Sequence, residues 1–125
     1  MTTNKYVRQA PKTAMAVLGI SNIGTGNGVE FVVPPGSHVY GINAYVSTQF
    51  NGTTNTISAS DGTTTFISAE DVKTAGVIAV DVAQKYFPNG GTIGVTLAQT
   101  GAATAGVVSV VLSYAINGAD GSIQE

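Results

Sequence analysis

At 125 residues the chain is long enough for one domain and too short for two of ordinary size. Its 43% hydrophobic content supports a core, but only 10% of residues are charged, against the roughly 25% of ordinary soluble chains, so surface polarity must come from Thr, Ser, Asn and Gln. With no Cys and one His, disulfides, thiolate catalysis and Cys- or His-rich metal centres are excluded, and a net charge of -2 argues against a duplex DNA partner.

Charge is unevenly placed. Residues 1–13 carry Lys5, Arg8 and Lys12 with no acid, for +3, while the remainder carries -5. These residues lack apolar periodicity and contain Pro11, so they read as an extended basic N-terminal arm. At 3.3–3.6 Å per residue the arm reaches roughly 45 Å. Residues 14–18 then imitate a signal peptide, but Ser21 and Asn22 cut the apolar run short. The longest apolar stretch, residues 106–116, falls well below the ~20 residues of a spanning helix, so no membrane partner is expected.

Strands are predicted over residues 15–20 and 29–33, the second closed by Pro34-Pro35-Gly36. Residues 39–50 alternate, with Tyr40, Ile42, Ala44, Val46 and Phe50 on one face and Asn43, Tyr45, Ser47 and Gln49 on the other. Shorter strands follow over 55–60 and 63–67. The capping-box spacing of Ser68 and Asp71, with Gly76 as a stop, predicts one short helical turn. Further strands are expected over 77–82 and 92–99. The last run, 107–116, is apolar on both faces and reads as a strand covered on both sides, by the sandwich core or by a second subunit.

Asn-Gly at 27, 51, 89 and 117 and Asp-Gly at 61 and 120 tolerate the positive φ of hairpin turns. The pattern predicts an all-β chain: an antiparallel β-sandwich, jelly-roll-like, with an Ig-like sandwich as the alternative. The sandwich spans 14–117, followed by a C-terminal tail over 118–125.

No catalytic constellation assembles in the sequence. His38 lacks a nucleophile elbow, and Glu70 and Asp71 are neighbours that would not face each other on a helical turn. The glycine-rich stretch 24–28 lacks the lysine and helix of a phosphate loop. Asp61 lies among hydroxyls, but one carboxylate is too few for calcium. The formal glycosylation sequon at Asn51 overlaps a hairpin turn. A non-enzyme without cofactors is expected. Carbohydrate binding would need exposed aromatics, for which Tyr45 and the Tyr86-Phe87 pair are the candidates.

The segment order is informative beyond composition. Ala44-Tyr45-Val46-Ser47-Thr48-Gln49-Phe50-Asn51-Gly52-Thr53 runs through Thr56-Ile57-Ser58-Ala59-Ser60-Asp61-Gly62 to Asp71-Val72-Lys73-Thr74-Ala75-Gly76. It ends with Gly91-Thr92-Ile93-Gly94-Val95-Thr96-Leu97 and Thr104-Ala105-Gly106-Val107-Val108-Ser109-Val110-Val111-Leu112-Ser113-Tyr114. Over residues 29–115 this order resembles small tailed-bacteriophage decoration, or cement, proteins. The resemblance implies a structural virion protein on the outer capsid surface, partnered with the major capsid protein, often trimeric, that holds the shell against internal DNA pressure. The chain departs from a simple plug in lacking a long hydrophobic arm.

Two contact sets follow as expectations. The arm residues Lys5, Tyr6, Val7, Arg8 and Lys12 would touch the capsid or an adjacent copy. Val107 and Val111 would lie in a homotrimer interface, since two-faced apolarity in so small a domain calls for cover. The alternative is a virion adhesin, a head-fibre or tail component binding host-surface carbohydrate.

Overall fold

Alternating runs too short to fold alone are buried by layering into two sheets. The computed structural model describes residues 12–24, 26–78 and 84–116. The strands are β1 (Lys12–Gly19), β2 (Val29–Val33), β3 (Ser37–Thr48), β4 (Thr54–Ser60), β5 (Thr65–Asp71), β6 (Gly76–Ile78), β7 (Lys85–Phe87), β8 (Gly91–Thr100) and β9 (Val107–Ile116), with a 3₁₀ turn at Ile20–Asn22. Sheet A runs β1-β9-β3-β6, with β7 also paired to β3, and sheet B runs β2-β8-β4-β5. All strand pairs are antiparallel.

The fold is the expected β-sandwich, with the connectivity of a jelly roll. Of the expected hairpin turns among the described residues, only Asp61-Gly62 closes a hairpin. Asn27-Gly28, Asn51-Gly52 and Asn89-Gly90 lie on connections between the two sheets, and Gly28 and Gly52 have no positive φ. The first strand pairs with the last, and the chain changes sheet at nearly every connection. Only β4 and β5 form a hairpin within sheet B. An Ig-like order would instead place its first two strands together in one sheet with the fourth and fifth.

Inward side chains of both sheets make one core. Leu18, Val39, Ile42, Val46, Val108, Val110 and Leu112 from sheet A meet Ile57, Ile93, Val95 and Leu97 from sheet B, each 2% exposed or less. Each such burial stabilises by about 1.5–3 kcal/mol relative to exposure.

Two local expectations fail for reasons visible in the ladder. The period of two in β3 places Tyr40 with Ile42, but a register shift between Val39 and Gly41 breaks the alternation. Val39 is therefore buried and Tyr40 exposed. The helical turn expected over 68–71 is strand, because Asp71 and Glu70 pair with Thr56 and Ile57 of β4. The local capping bonds lose to the ladder. Ser58 Oγ instead accepts from the Ala69 N–H at 3.0 Å, beside the bulges of this hairpin.

Ala69 has a φ of +45°, the one non-glycine with positive φ among the described residues. A left-handed conformation costs an L-residue about 1–2 kcal/mol, and the added chain entropy of glycine offsets about 0.4–1 kcal/mol of the relief. Ala69→Gly should therefore raise stability by about 0.5 kcal/mol, whereas the β-branched Ala69→Val should lower it by more than 1 kcal/mol. Thermal unfolding of the two variants checks the sign of each.

Candidate interaction surface

The outward face of sheet A is set by residues that alternate with the core. Across β1, β9, β3 and β6 the rows read Met15–Val111–Asn43 and Val17–Ser109–Tyr45–Val77. Met15, Val17, Tyr45 and Val77 are 63%, 57%, 52% and 74% exposed. No Lys, Arg, Asp or Glu lies on this face among the described residues. The outward face of sheet B is different: Thr56, Ser58 and Ser60 lie beside Ala98, Thr96 and Gly94, with Glu30 and Val32 on β2. One side of the sandwich is thus rich in hydroxyls and carries Glu30, while the other is uncharged, with Met15, Val17, Tyr45 and Val77 exposed beside Asn43 and Ser109.

β9 answers the expectation made for its two apolar faces. Val108, Val110 and Leu112 are fully buried in the core. Val107 and Val111 point outward and are half-buried, because β1 and β3 flank them on both sides. Sheet neighbours supply part of the cover that the sequence assigns to a second subunit.

At the end of the sandwich where β1 begins and β9 ends, the loop between β4 and β5 meets β7. Lys85 Nζ donates to Asp61 Oδ2, forming an ion pair between the two sheets, and to Thr63 Oγ1 at 3.0 Å. Asp61 Oδ1 also accepts from the N–H groups of Thr63 at 2.9 Å and Thr64 at 2.6 Å. Burial acts to raise the Asp61 carboxyl, but the Lys85 ammonium, these two N–H groups and the Thr63 hydroxyl outweigh it and hold it well below the usual carboxylate range.

Lys85 Nζ also lies 5.2 Å from the centre of the Phe87 ring. The ion pair borders a cleft of about 310 Å³ that continues along residues 86–92. Its charges satisfy each other, so the cleft presents no free charge to a ligand. Asp61 is accordingly a structural acid, with an ammonium where a cation would have to bind.

The opposite end is a knot of loop hydrogen bonds. Asn51 Oδ1 accepts from the N–H groups of Thr104 at 2.7 Å and Ala105 at 3.2 Å, and its Nδ2 donates to Thr104 Oγ1 at 2.9 Å. Asn55 Oδ1 accepts from the Gly52 N–H at 2.8 Å, and Lys73 Nζ donates to the Thr53 carbonyl at 2.8 Å. These bonds tie the loops after β3, β5 and β8 together. Sequence reasoning read Asn51-Gly52 as a turn and missed this network, because the partners of Asn51 lie 53 and 54 residues away.

Of the expected contact residues, Lys5, Tyr6, Val7 and Arg8 lie outside the described residues. Lys12 opens β1, exposed and paired with Tyr114. His38 and Tyr86 form a tilted ring pair with centroids 6.3 Å apart, across β3 and β7. Of the carbohydrate candidates, Tyr45 and Tyr86 are exposed on sheet A, whereas Phe87 is buried. Among the described residues no group of three or more His, Asp or Glu could hold a metal ion. No family model matches the chain, and no curated protein matches it.

Proposed function

We propose that the chain is a structural virion protein of the decoration or cement type, which binds the outer surface of a tailed-phage capsid and stabilises the head. The observation that supports it most is the uncharged face of sheet A with its exposed Met15, Val17, Tyr45 and Val77. Such a face, in a small domain, is suited to lasting assembly rather than turnover. The strands of sheet A, ~4.8 Å apart with a rise of ~3.3 Å per residue, present roughly 570 Å² per copy, so two such surfaces approach the lower bound of specific interfaces. Jelly rolls serve viral capsids and lectins alike, which is fold-level analogy only.

In this reading self-association as a homotrimer uses the outward face with Val107 and Val111, and the basic segment at Lys5, Arg8 and Lys12 contacts the major capsid protein. Tyr6 and Val7 add backbone pairing, because exposed charge contacts contribute only ~0–1 kcal/mol each and salt screens them over ~8–10 Å. The exposure of Tyr45 and Tyr86 favours the second reading, an adhesin that stacks host-surface sugars on these rings.

One experiment separates the two. The purified chain is mixed with emptied tailed-phage capsids, and in parallel applied to a glycan array. Cement binding should retain the chain on capsids. Deletion of residues 1–11, which leaves β1 whole, should abolish retention without changing the β-sheet circular dichroism. Replacing Lys5, Arg8 and Lys12 with Gln should weaken retention moderately and flatten its salt dependence. Array binding at millimolar affinity or better, without capsid retention, would replace the cement reading with the adhesin one.

A further inference from the structure

Sheet edges are where β proteins invite or refuse a partner strand, and the edges here are unequal. β2 is five residues long, carries Glu30 and runs into Pro34-Pro35. β5 is broken by register shifts, by the left-handed Ala69 and by Glu70 and Asp71 at its end. Among the described residues the far side of β3 carries only the three-residue strands β6 and β7. All three devices are standard ways of blunting an edge.

β1 has only the mildest of them, a single charge at its first residue. Its eight residues pair with β9 without a register shift, it contains no proline, and its one charge is Lys12 at the start. No hydrogen bond is made along its outer side among the described residues apart from the Gly19 N–H to Asn22 Oδ1. Met15 and Val17, on the outward face of the sheet, are among the most exposed large apolar side chains.

We propose that the outer edge of β1 pairs antiparallel with β1 of a second copy, about a two-fold axis through Ala16. The occupant follows from self-complementarity. Opposed residues in an antiparallel pair share a face, so a two-fold axis must pass through a residue position rather than between two. With the axis at Ala16, Met15 of each copy lies opposite Val17 of the other. Both exposed side chains then gain an apolar neighbour. Ala14 lies opposite Leu18, and Thr13 opposite Gly19. Lys12 falls opposite Ile20 of the other copy, so no like charges meet.

The two copies of sheet A then run on as one sheet. A strand edge buries less than the ~1,200 Å² of a stable specific interface, so the pairing is a reversible contact rather than an obligate dimer. It joins copies in twos and is a different contact from one that closes a trimer. It does not depend on the capsid reading, since a chain that ignores capsids can still pair at β1.

The absence of cysteine makes the test direct, because a single introduced thiol can form only intermolecular disulfides. Opposed Cβ atoms in such a pair lie ~4.5–5.5 Å apart, close to the span of a disulfide. Ala16→Cys in the full-length chain, oxidised under mild conditions, should form covalent dimers about tenfold faster than Thr92→Cys on sheet B, because pairing raises the effective thiol concentration. A mixture of Met15→Cys and Val17→Cys chains should give mainly the mixed dimer. These two positions are solvent-exposed, so this arm holds even if the half-buried Ala16 tolerates substitution poorly. Cross-linking at the Thr92→Cys rate in both arms would overturn the pairing. Dominant Met15→Cys homodimers would overturn the axis at Ala16.

Discussion

Gly106→Ala should lower the unfolding free energy by about 4 kcal/mol, combining overpacking and backbone strain. At roughly 3–5 °C per kcal/mol for a domain of this size, the midpoint falls by about 15 °C. Gly106 has a φ of +153°, and a Cβ there would lie 2.3 Å from the ring of Phe50. The ring has little room to yield. Phe50 is 1% exposed, and its N–H is held by the Val72 carbonyl at 3.2 Å.

The loop before β9 therefore closes over the ring only if residue 106 has no side chain. A double-mutant cycle separates the two costs. Phe50→Leu in the Gly106→Ala background should recover the steric part, leaving the cost of the positive φ, so the two substitutions are coupled rather than additive. Additive losses in thermal or urea unfolding would show that the ring contact does not limit this loop.

The second large effect belongs to Asp61. Asp61→Ala should cost about 2–3 kcal/mol near neutral pH, below the 3–5 kcal/mol of a fully buried pair, because Lys85 keeps 30% of its side chain in solvent. Asp61→Asn should cost less, since the amide oxygen can still accept from the Thr63 and Thr64 N–H groups.

The pH dependence follows from the lowered carboxyl. The folded state holds Asp61 below its unfolded value of about 3.9, so the folded chain keeps the charged form where the unfolded chain takes up a proton. The stabilisation is complete above about pH 4 and is lost as pH falls below it toward the folded value. The gap in melting temperature between the native chain and Asp61→Ala should be constant from pH 8 to pH 5 and narrow toward pH 2.5. A gap independent of pH would mean that folding does not lower the Asp61 carboxyl, and that neither the ion pair nor the hydrogen bonds to its charged form carry the effect.

Much of the molecule was legible in the amino-acid sequence because strand signals are local. A period of two and an Asn-Gly or Asp-Gly turn each need only a few adjacent residues, so the all-β class followed directly. The strand over residues 29–33 has the same bounds in the structure, since its apolar residues and the prolines that stop it are contiguous. Alternation alone also placed Asn43, Tyr45 and Ser47 on an outward face, and β3 presents them there.

What the sequence left open depends on residues brought together from far apart. The shift at Tyr40 exists only against β9, and the strand at 68–71 only against β4. The Asp61–Lys85 pair spans 24 residues and the Asn51–Thr104 bonds 53, beyond any local pattern. The half-burial of Val107 and Val111 is likewise a matter of neighbours. β9, flanked along its length by β1 and β3, keeps Val107 and Val111 half-buried, while β1, with one neighbour among the described residues, leaves Met15 and Val17 in solvent. Composition and period decide which residues can be strand. Only the order of strands in the sheet decides which apolar residues are already covered and which remain open to a partner.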